Sequence, residues 1–362
     1  DRNLGDFLSL LIPAETRLID AEVVDIGTSA AAVESICGGV TAALDMYYFP
    51  DAVLDAADRV GLRVMTGPVI LDDEGPDHLP RAARLEAAED FLRRRPARPG
   101  WRPVVAPHST YLVSTELLQL VRGLAAEHDA AVHIHAAETA QEIADVRSMT
   151  GRRPVELLAH LELLCDRTVL AHAVQLTDDE VERIVRSGAT VAHNPSSNLK
   201  LASGVARVPD LLAAGANVAI GTDGAASSND LDMFVAMRLA ALLHKGVTGD
   251  PTAVPARQAL RMATMGGARA VALDDDLGSL EPGKLADIIA IDTSGAHLQP
   301  IYDPVSAVVY AAGRGDVAHV WVGGEQVVAD ARPTRVDPTA VVDALRRLRE
   351  PVRRAAGLSS DT

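Results

Sequence analysis

Histidine and carboxylate side chains gather where buried strands are expected to end. The segment VHIHAAE places His133 and His135 on one face of an extended strand, with Glu138 just past its end. A neutral imidazole at a strand end is a good zinc ligand, and a nearby carboxylate can carry a proton to or from a metal-activated water. The segment therefore indicates metal-assisted hydrolysis.

Two other strand ends carry groups of the same kind. His172 ends the apolar run TVLAH, and Asp223 follows a later run, between Gly221 and Gly224. The Asp223 carboxylate could ligate a metal, accept a proton from water, or do both. Each motif alone also has a simpler explanation, because a single strand histidine is more often a hydrogen-bonded core residue and GTDG could be a tight turn before a capped helix.

The combination of these motifs favours a functional site over core packing. The polar residues at the ends of the expected strands are Asp45, His108, His135, His172, His193 and Asp223. Buried polar groups without a partner cost about 1–3 kcal/mol each, so one rim of a fold should not collect them without something to bind. A metal ion or a polar substrate would be that partner.

The elements that must position these residues alternate between strands and helices. Strands are expected at Gly39–Tyr47, Leu62–Leu71, Arg102–His108, Ala131–Ala136, Thr168–His172, Ala189–His193 and Ala216–Asp223. Helices are expected at Thr115–His128 and Asp178–Ser187, the second with Thr177 as its N-cap and Glu180 three residues on. Continuous apolar strands, each followed by a helix, indicate a parallel sheet that is buried on both faces.

This alternation predicts an α/β fold, specifically a (β/α)8 TIM-type barrel with a small β-sandwich module. In such a barrel the strand ends converge on one rim, whereas an open nucleotide-binding sheet would need a glycine-rich phosphate loop that this sequence lacks. We count seven strands where closure needs eight. The expected units are residues 1–280 for the barrel, 281–335 for the β module, and 336–362 for a helix and tail packed on the body.

Composition narrows the possible partners. Over 362 residues, 34 basic against 50 acidic residues give a net charge of −16, which disfavours nucleic acid and anionic membranes. Cys37 and Cys165 form no CxxC motif, which indicates a reducing compartment. No apolar run approaches the roughly 20 residues of a membrane span, and no signal peptide is evident. We expect a cytoplasmic location.

The run Val191–Phe234, which contains AHNPSSN and GTDGAASSNDLDMF, closely resembles the amidohydrolase superfamily, and within it the methylthioadenosine/S-adenosylhomocysteine deaminase group. The resemblance covers nearly the whole chain. It also includes the segments Ala106–Tyr111, His133–Thr139, Thr168–Leu176, Leu277–Asp292 and His297–Ala312.

The resemblance implies a hydrolytic deaminase of adenine nucleosides with one zinc ion per chain. His135 and Asp223 would be metal ligands. Glu138 would donate a proton to the purine ring nitrogen, Asp223 would accept the proton from water, and His172 would hydrogen-bond the attacking oxygen. The resemblance also implies a homo-oligomer, usually a dimer.

For the substrate, the resemblance implies that Glu15 grips the ribose hydroxyls, that His108 and His193 make further contacts, and that Arg84 helps to hold a homocysteine carboxylate. Related enzymes use a second arginine where this chain reads Met65–Pro68, without a basic residue. Loss of half of a carboxylate clamp favours neutral substrates, namely adenosine, 5′-deoxyadenosine or methylthioadenosine, over S-adenosylhomocysteine.

A second departure concerns the metal. In the family a His-x-His pair on the first barrel strand supplies two zinc ligands, and alignment through Glu15 puts this pair before Asp1. We therefore expect the first strand and these two histidines upstream of the printed sequence. Two alternatives stay open: a superfamily hydrolase that removes another ring substituent, as from triazines, and a metal-deficient barrel that only binds a nucleoside.

Overall fold

The computed structural model describes residues 2–358. The strands are β1 (Ala42–Leu44), β2 (Arg63–Met65), β3 (Val69–Ile70), β4 (Val104–Pro107), β5 (Ala131–Ala136), β6 (Thr168–His172), β7 (Thr190–His193), β8 (Asn217–Ile220), β9 (Ile288–Ile291), β10 (Val317–Val322), β11 (Glu325–Ala329) and β12 (Arg332–Pro333). The helices are α1 (Leu4–Leu18), α2 (Ala21–Cys37), α3 (Pro50–Val60), α4 (Arg81–Arg94), α5 (Thr115–Glu127), α6 (Ala140–Thr150), α7 (Pro154–His160), α8 (Asp178–Ser187), α9 (Pro195–Lys200), α10 (Val208–Ala213), α11 (Ala225–Ser228), α12 (Met233–Thr248), α13 (Ala256–Arg261), α14 (Gly267–Ala270), α15 (Pro304–Tyr310) and α16 (Pro338–Ala355).

The central sheet is parallel and follows chain order. β3 to β8 form one six-stranded sheet in which each strand pairs with the next, and β1 pairs in parallel with β2. All residues of β4 and β6 are buried, as expected for strands covered on both faces. With the intervening helices this confirms the α/β architecture of the TIM-barrel type. Among the described residues, β1 and β8 each pair with a single neighbour.

The expected strand Leu62–Leu71 is divided into β2 and β3. A Cβ atom at Gly67 would lie 1.7 Å from the carbonyl oxygen of Val104, so only glycine permits this approach of two backbones. Pro68 follows and has no N–H to donate to a neighbouring strand. Residues 66–68 therefore lie outside regular strand pairing. β2 pairs with β1 before this break, and β3 pairs with β4 after it.

The second sheet is antiparallel and lies late in the chain. Its order is β12-β11-β10-β9, which confirms the expected β module. The tight turn between β10 and β11 uses Gly323 and Gly324, both with positive φ (59° and 84°), as two-residue hairpins require. Within the run Leu277–Asp292, strand β9 occupies Ile288–Ile291, and residues 277–287 are loop. The unit boundaries at 280 and 335 stay predictions.

Helix ends agree closely with sequence signals. α8 begins after Thr177, whose hydroxyl accepts from the Glu180 N–H while the Glu180 carboxylate accepts from the Thr177 N–H. α16 packs on α1 and α2, and Arg17 donates to the carbonyl of Ala355 at 2.9 Å. The last residues of the expected tail, 359–362, lie outside the described residues. Across residues 2–358, every helix is too short or too polar to cross a membrane.

Candidate active site

The carboxyl ends of neighbouring strands bring the predicted side chains together. In the sheet register Ala136 pairs with His172, and His193 pairs with Ile220, three residues before Asp223. Directly at these ends the backbone adopts left-handed conformations, with φ of 55° at Ala137, 73° at His172 and 62° at Asp223. Such φ values cost of order 1 kcal/mol for a residue other than glycine, and they commonly occur where function fixes a side chain.

His135 is oriented by the backbone of the neighbouring strand. Its Nδ1 lies 2.6 Å from the carbonyl oxygen of His108, which can only accept, so Nδ1 carries the proton. Burial, and then the charge on His172, lowers the pKa of His135 and keeps the ring neutral. A neutral ring protonated at Nδ1 has its free lone pair on Nε2, which is the arrangement found in metal-ligating histidines.

His172 lies between an amide and a carboxylate. Its Nδ1 donates to Asn198 Oδ1 at 2.8 Å, and its Nε2 lies 3.7 Å from Glu138 Oε2. Burial opposes the charged ring, but the carboxylates of Glu138 and Asp223 outweigh burial and raise the pKa of His172. The ring therefore presents a polarised N–H to the centre of the site.

Asp223 and His135 interact electrostatically across the same space, as the metal hypothesis requires. Burial acts to raise the pKa of Asp223, but the positive charge of His172 outweighs it and the pKa is lowered, with a smaller contribution from His135. The N–H of Gly224 donates to Asp223 Oδ1 at 2.7 Å. Asp223 is therefore an ionised carboxylate that can accept a proton or bind a cation.

These residues fit a divalent cation as ligands. His135 Nε2 and the Asp223 carboxylate are the donor set that zinc prefers. His133 lies on the same face of β5, and its buried Nδ1 has no hydrogen-bond partner. Within the part of the chain that the structure describes, no three His, Cys, Asp or Glu side chains are spaced to hold a metal together. Of the ligands that the family resemblance implies, the described residues include His135 and Asp223.

The predicted substrate residues divide into two groups. Glu15, on α1, accepts from the hydroxyl of Tyr47 at 2.7 Å, and burial raises the Glu15 pKa. Arg84, on α4, is only 2% exposed and forms a bidentate ion pair with Asp77, at 2.7 and 2.6 Å. The side chains of Glu15 and Arg84 both interact with Tyr48. The pKa of Tyr48 is raised by burial and then by the Glu15 charge.

The other group consists of two neutral histidines. Burial lowers the pKa of His108 and of His193 to about 3, with nearby histidines adding to the effect. His108 Nδ1 and both ring nitrogens of His193 are buried without hydrogen-bond partners. The His193 ring packs 5.3 Å from that of His244, on α12. Unsatisfied buried nitrogens of this kind are suited to accept or donate to a ligand.

Several residues of the site escaped sequence reasoning. Asn198 and Ser203 follow β7 and contact His172 and Glu138, and Glu142 on α6 accepts from the Glu138 N–H. The signal for Asn198 and Ser203 was the polar run after AHNP, but the sequence alone does not show which side chains these residues contact. Asp45 was noted at a strand end but given no role.

This chain is similar in sequence to known proteins over most of its length. The profile of the Amidohydrolase family matches residues 2–327. A protein of Nitratidesulfovibrio vulgaris (strain Miyazaki F), named 5-methylthioadenosine/S-adenosylhomocysteine deaminase, is 43% identical over 349 residues, covering 96% of this chain and 79% of that protein. A protein of Methanopyrus kandleri, named 5′-deoxyadenosine deaminase, is 40% identical over 332 residues, covering 91% of this chain and 76% of that protein.

A solved structure extends the similarity to three dimensions. The crystal structure of an adenosine deaminase from Xanthomonas campestris with bound zinc superposes with a TM-score of 0.95 at 38% sequence identity. The match covers 98% of this chain and 81% of that one.

Proposed function

Because the chain belongs to the amidohydrolase family, we propose that it is a hydrolytic deaminase that replaces the amino group of an adenine nucleoside by oxygen and releases ammonia. One observation carries the proposal. A neutral imidazole (His135), a protonatable imidazole (His172) and two carboxylates (Glu138 and Asp223) meet at the carboxyl ends of neighbouring parallel strands. The similarity to a methylthioadenosine-type and a 5′-deoxyadenosine deaminase supports the substrate class.

The proposed reaction needs one water and moves protons only between named groups. Glu138 gives a proton to the purine ring nitrogen while Asp223 takes one from the water whose oxygen attacks the amine-bearing carbon. His172 donates a hydrogen bond to that oxygen. Asp223 then protonates the departing amino group, and the added hydroxyl returns its proton to Glu138. The products are the 6-oxo nucleoside and ammonia, and both carboxyl groups end as they began.

A divalent metal is implied by the family and by the zinc in the similar structure, and we propose one zinc ion per chain with His135 and Asp223 among its ligands. When bound, zinc brings the pKa of a water to about 7 and so supplies a nucleophile at neutral pH. The Nδ1–H of His135 is held by the His108 carbonyl, which keeps the ring in the orientation and tautomer that ligation needs.

For the substrate we propose a neutral nucleoside: adenosine, 5′-deoxyadenosine or methylthioadenosine. Glu15 would accept from the ribose hydroxyls, and His108 and His193, with their unpartnered ring nitrogens, would bind the rest of the nucleoside. Arg84 stays a candidate for the 5′ side. Its guanidinium is already paired with Asp77, which supports a preference for uncharged 5′ groups over S-adenosylhomocysteine.

The test is turnover by the full-length, zinc-loaded protein. Adenosine, 5′-deoxyadenosine and methylthioadenosine are incubated separately, and the loss of adenine absorbance is followed together with ammonia release. We expect ammonia and 6-oxo product in equal amounts, and a Glu138→Gln variant, as the matched control, should keep only a residual turnover at least about a hundredfold lower. Absence of turnover of every aminopurine contradicts the proposal.

The same assay separates the alternative functions. Release of chloride or an alkylamine from a substituted triazine, without action on adenosine, would indicate a hydrolase of another ring substituent. Tight nucleoside binding without turnover, at less than one zinc per chain, would indicate a binding protein.

Two further properties concern assembly and cellular location. We propose a homo-oligomer, most simply a dimer, and a cytoplasmic location. Two cysteines that form no disulfide, Cys37 and Cys165, support a reducing compartment. Light scattering on the purified protein measures the first property, and cell fractionation measures the second.

A further inference from the structure

One short segment contacts two residues of the proposed reaction, His172 and Glu138. α9 and the turn after it follow β7 directly. Within them Asn198 accepts from His172 Nδ1 at 2.8 Å, and Ser203 donates to Glu138 Oε1 at 2.9 Å. The Ser203 N–H donates to the Asn198 carbonyl at 2.9 Å, so the two contacts belong to one rigid turn. The segment therefore couples the placement of His172 to that of Glu138.

The backbone of Ser203 is held on both sides. Ser203 is 5% exposed, and its carbonyl accepts from the side-chain amide of Gln175 at 2.8 Å. Gln175 is itself anchored, because its N–H donates to the Ala137 carbonyl at 2.8 Å, next to Glu138. A short side chain on a backbone held by two hydrogen bonds loses little further freedom when its hydroxyl donates to a carboxylate.

The backbone beneath Glu138 is fixed independently by a buried carboxylate. Glu142 accepts from the N–H groups of Ala137 and Glu138, at 2.9 and 2.6 Å, and from the Thr110 hydroxyl at 3.2 Å. This network sets the left-handed turn at Ala137 that aims Glu138 inward. What it leaves free is the rotation of the Glu138 carboxyl group, and Ser203 is the contact that restricts it.

The two oxygens of Glu138 are consequently not equivalent. Oε1 accepts from Ser203, whereas Oε2 lies 3.7 Å from His172 Nε2, on the side of the site. The Ser203 hydroxyl donates to Oε1, and a protonated carboxyl oxygen is a weaker acceptor than an ionised one, so a proton on Oε1 would weaken this hydrogen bond. The proton that Glu138 carries therefore belongs on Oε2.

We propose that Ser203 is a positioning residue for Glu138: it occupies Oε1 and so keeps the transferable proton on Oε2, the oxygen that faces the substrate. The inference rests on the proposed function. In the reaction the proton leaves Oε2 for the ring nitrogen, and the same oxygen recovers a proton from the hydroxyl added at the amine-bearing carbon. Ser203 itself exchanges no proton and touches no substrate atom.

The test compares kcat and KM of the zinc-loaded, full-length wild type with those of Ser203→Ala. We expect kcat to fall about tenfold or more while KM stays within about twofold, because the hydrogen bond matters for proton transfer and not for substrate binding. Bound zinc per chain should be unchanged. The matched control is Ser29→Ala, on helix α2. It removes another buried hydroxyl, which accepts from Arg59 on α3 at 3.0 Å, and it should leave kcat unchanged.

A second pair of variants separates positioning from packing. Ser203→Thr keeps the hydroxyl and Ser203→Val replaces it by a methyl group of the same size, so the Thr variant should be at least about tenfold more active. This comparison also decides the matter if the Ala variant does not fold. In a Glu138→Gln background, the Ser203→Ala change should lower kcat little further, because both changes act through the same carboxyl group.

Three results overturn the inference. They are a Ser203→Ala kcat within twofold of wild type, equal activity of the Thr and Val variants, and an undiminished Ser203→Ala effect in the Glu138→Gln background. In each of these cases normal wild-type turnover leaves the deaminase function standing. A wild type that deaminates no adenine nucleoside removes the proposed function and this inference together.

Discussion

The buried ion pair between Arg84 and Asp77 permits a quantitative prediction about stability. Their side chains are 2% and 12% exposed, and Arg84 also donates to the carbonyls of Val69 and Leu79, at 3.1 Å each. Replacing Asp77 by Asn keeps the shape of the side chain but leaves a buried guanidinium without its counter-charge. Breaking such a pair typically costs about 3–5 kcal/mol, and because Asn retains one acceptor we expect about 3 kcal/mol.

The expected change in melting temperature follows from chain size. An unfolding entropy of about 2.1 cal/mol/K per residue over 362 residues converts 3 kcal/mol into a decrease of about 4 °C. The assay is thermal melting and urea unfolding of wild type and Asp77→Asn. The matched control is Asp25→Asn, which breaks the surface pair with Arg59 (48% and 36% exposed) and should cost less than about 1 kcal/mol.

A double-mutant cycle tests the physical cause. In an Arg84→Met background no buried charge remains to be left unpaired, so the further change Asp77→Asn should cost less than about 1 kcal/mol. The reasoning is refuted if Asp77→Asn destabilises no more than Asp25→Asn. It is equally refuted if the Asp77→Asn penalty is undiminished in the Arg84→Met background.

Three other changes probe the core, the interior charge and the metal. Gly67→Ala, whose Cβ would meet the Val104 carbonyl, should cost at least about 3 kcal/mol in urea unfolding, whereas Gly27→Ala, inside α2 with open space around it, should stabilise by about 0.5–1 kcal/mol; equal effects would contradict this. Burial raises the pKa of Asp45 to about 6, so the stability conferred by its protonated form is present below pH 4 and is lost as the pH rises through 6. The melting temperature of Asp45→Asn should therefore be higher than that of wild type at pH 8 and equal to it at pH 4. The opposite pH dependence would refute the raised pKa of Asp45. Chelation should abolish deamination and added zinc restore it, while His135→Ala should bind less zinc by elemental analysis; unchanged zinc content would exclude His135 as a ligand.

The strands were predictable where the apolar run and its polar end coincide. β5 and β6 begin and end at the expected residues, because AVHIHA and TVLAH are bounded by turn and helix signals on both sides. The same rule located His135, His172 and Asp223 at one rim, since parallel strands in chain order bring their carboxyl ends together. Local sequence thus determines both the elements and the residues that end them.

What could not be predicted depends on contacts between distant parts of the chain. The break after β2 exists because Val104 approaches Gly67, a tertiary contact that no local pattern encodes. Likewise Ser203 and Glu138 are 65 positions apart, and their hydrogen bond follows from how the turn after α9 folds over β5. The ion pair of Arg84 with Asp77 likewise depends on the conformation of an irregular loop.

The hydrogen bond from Arg17 to Ala355 joins positions 338 apart, and α1 carries Glu15 two residues before Arg17. The last helix of the described chain thus holds in place the element that carries Glu15, the carboxylate that we propose binds the ribose. Shortening α16, or fusing a bulky tag to it, should loosen nucleoside affinity while the chemistry at the strand ends proceeds at its normal rate. Protein engineers working on this chain would do well to leave that end unmodified.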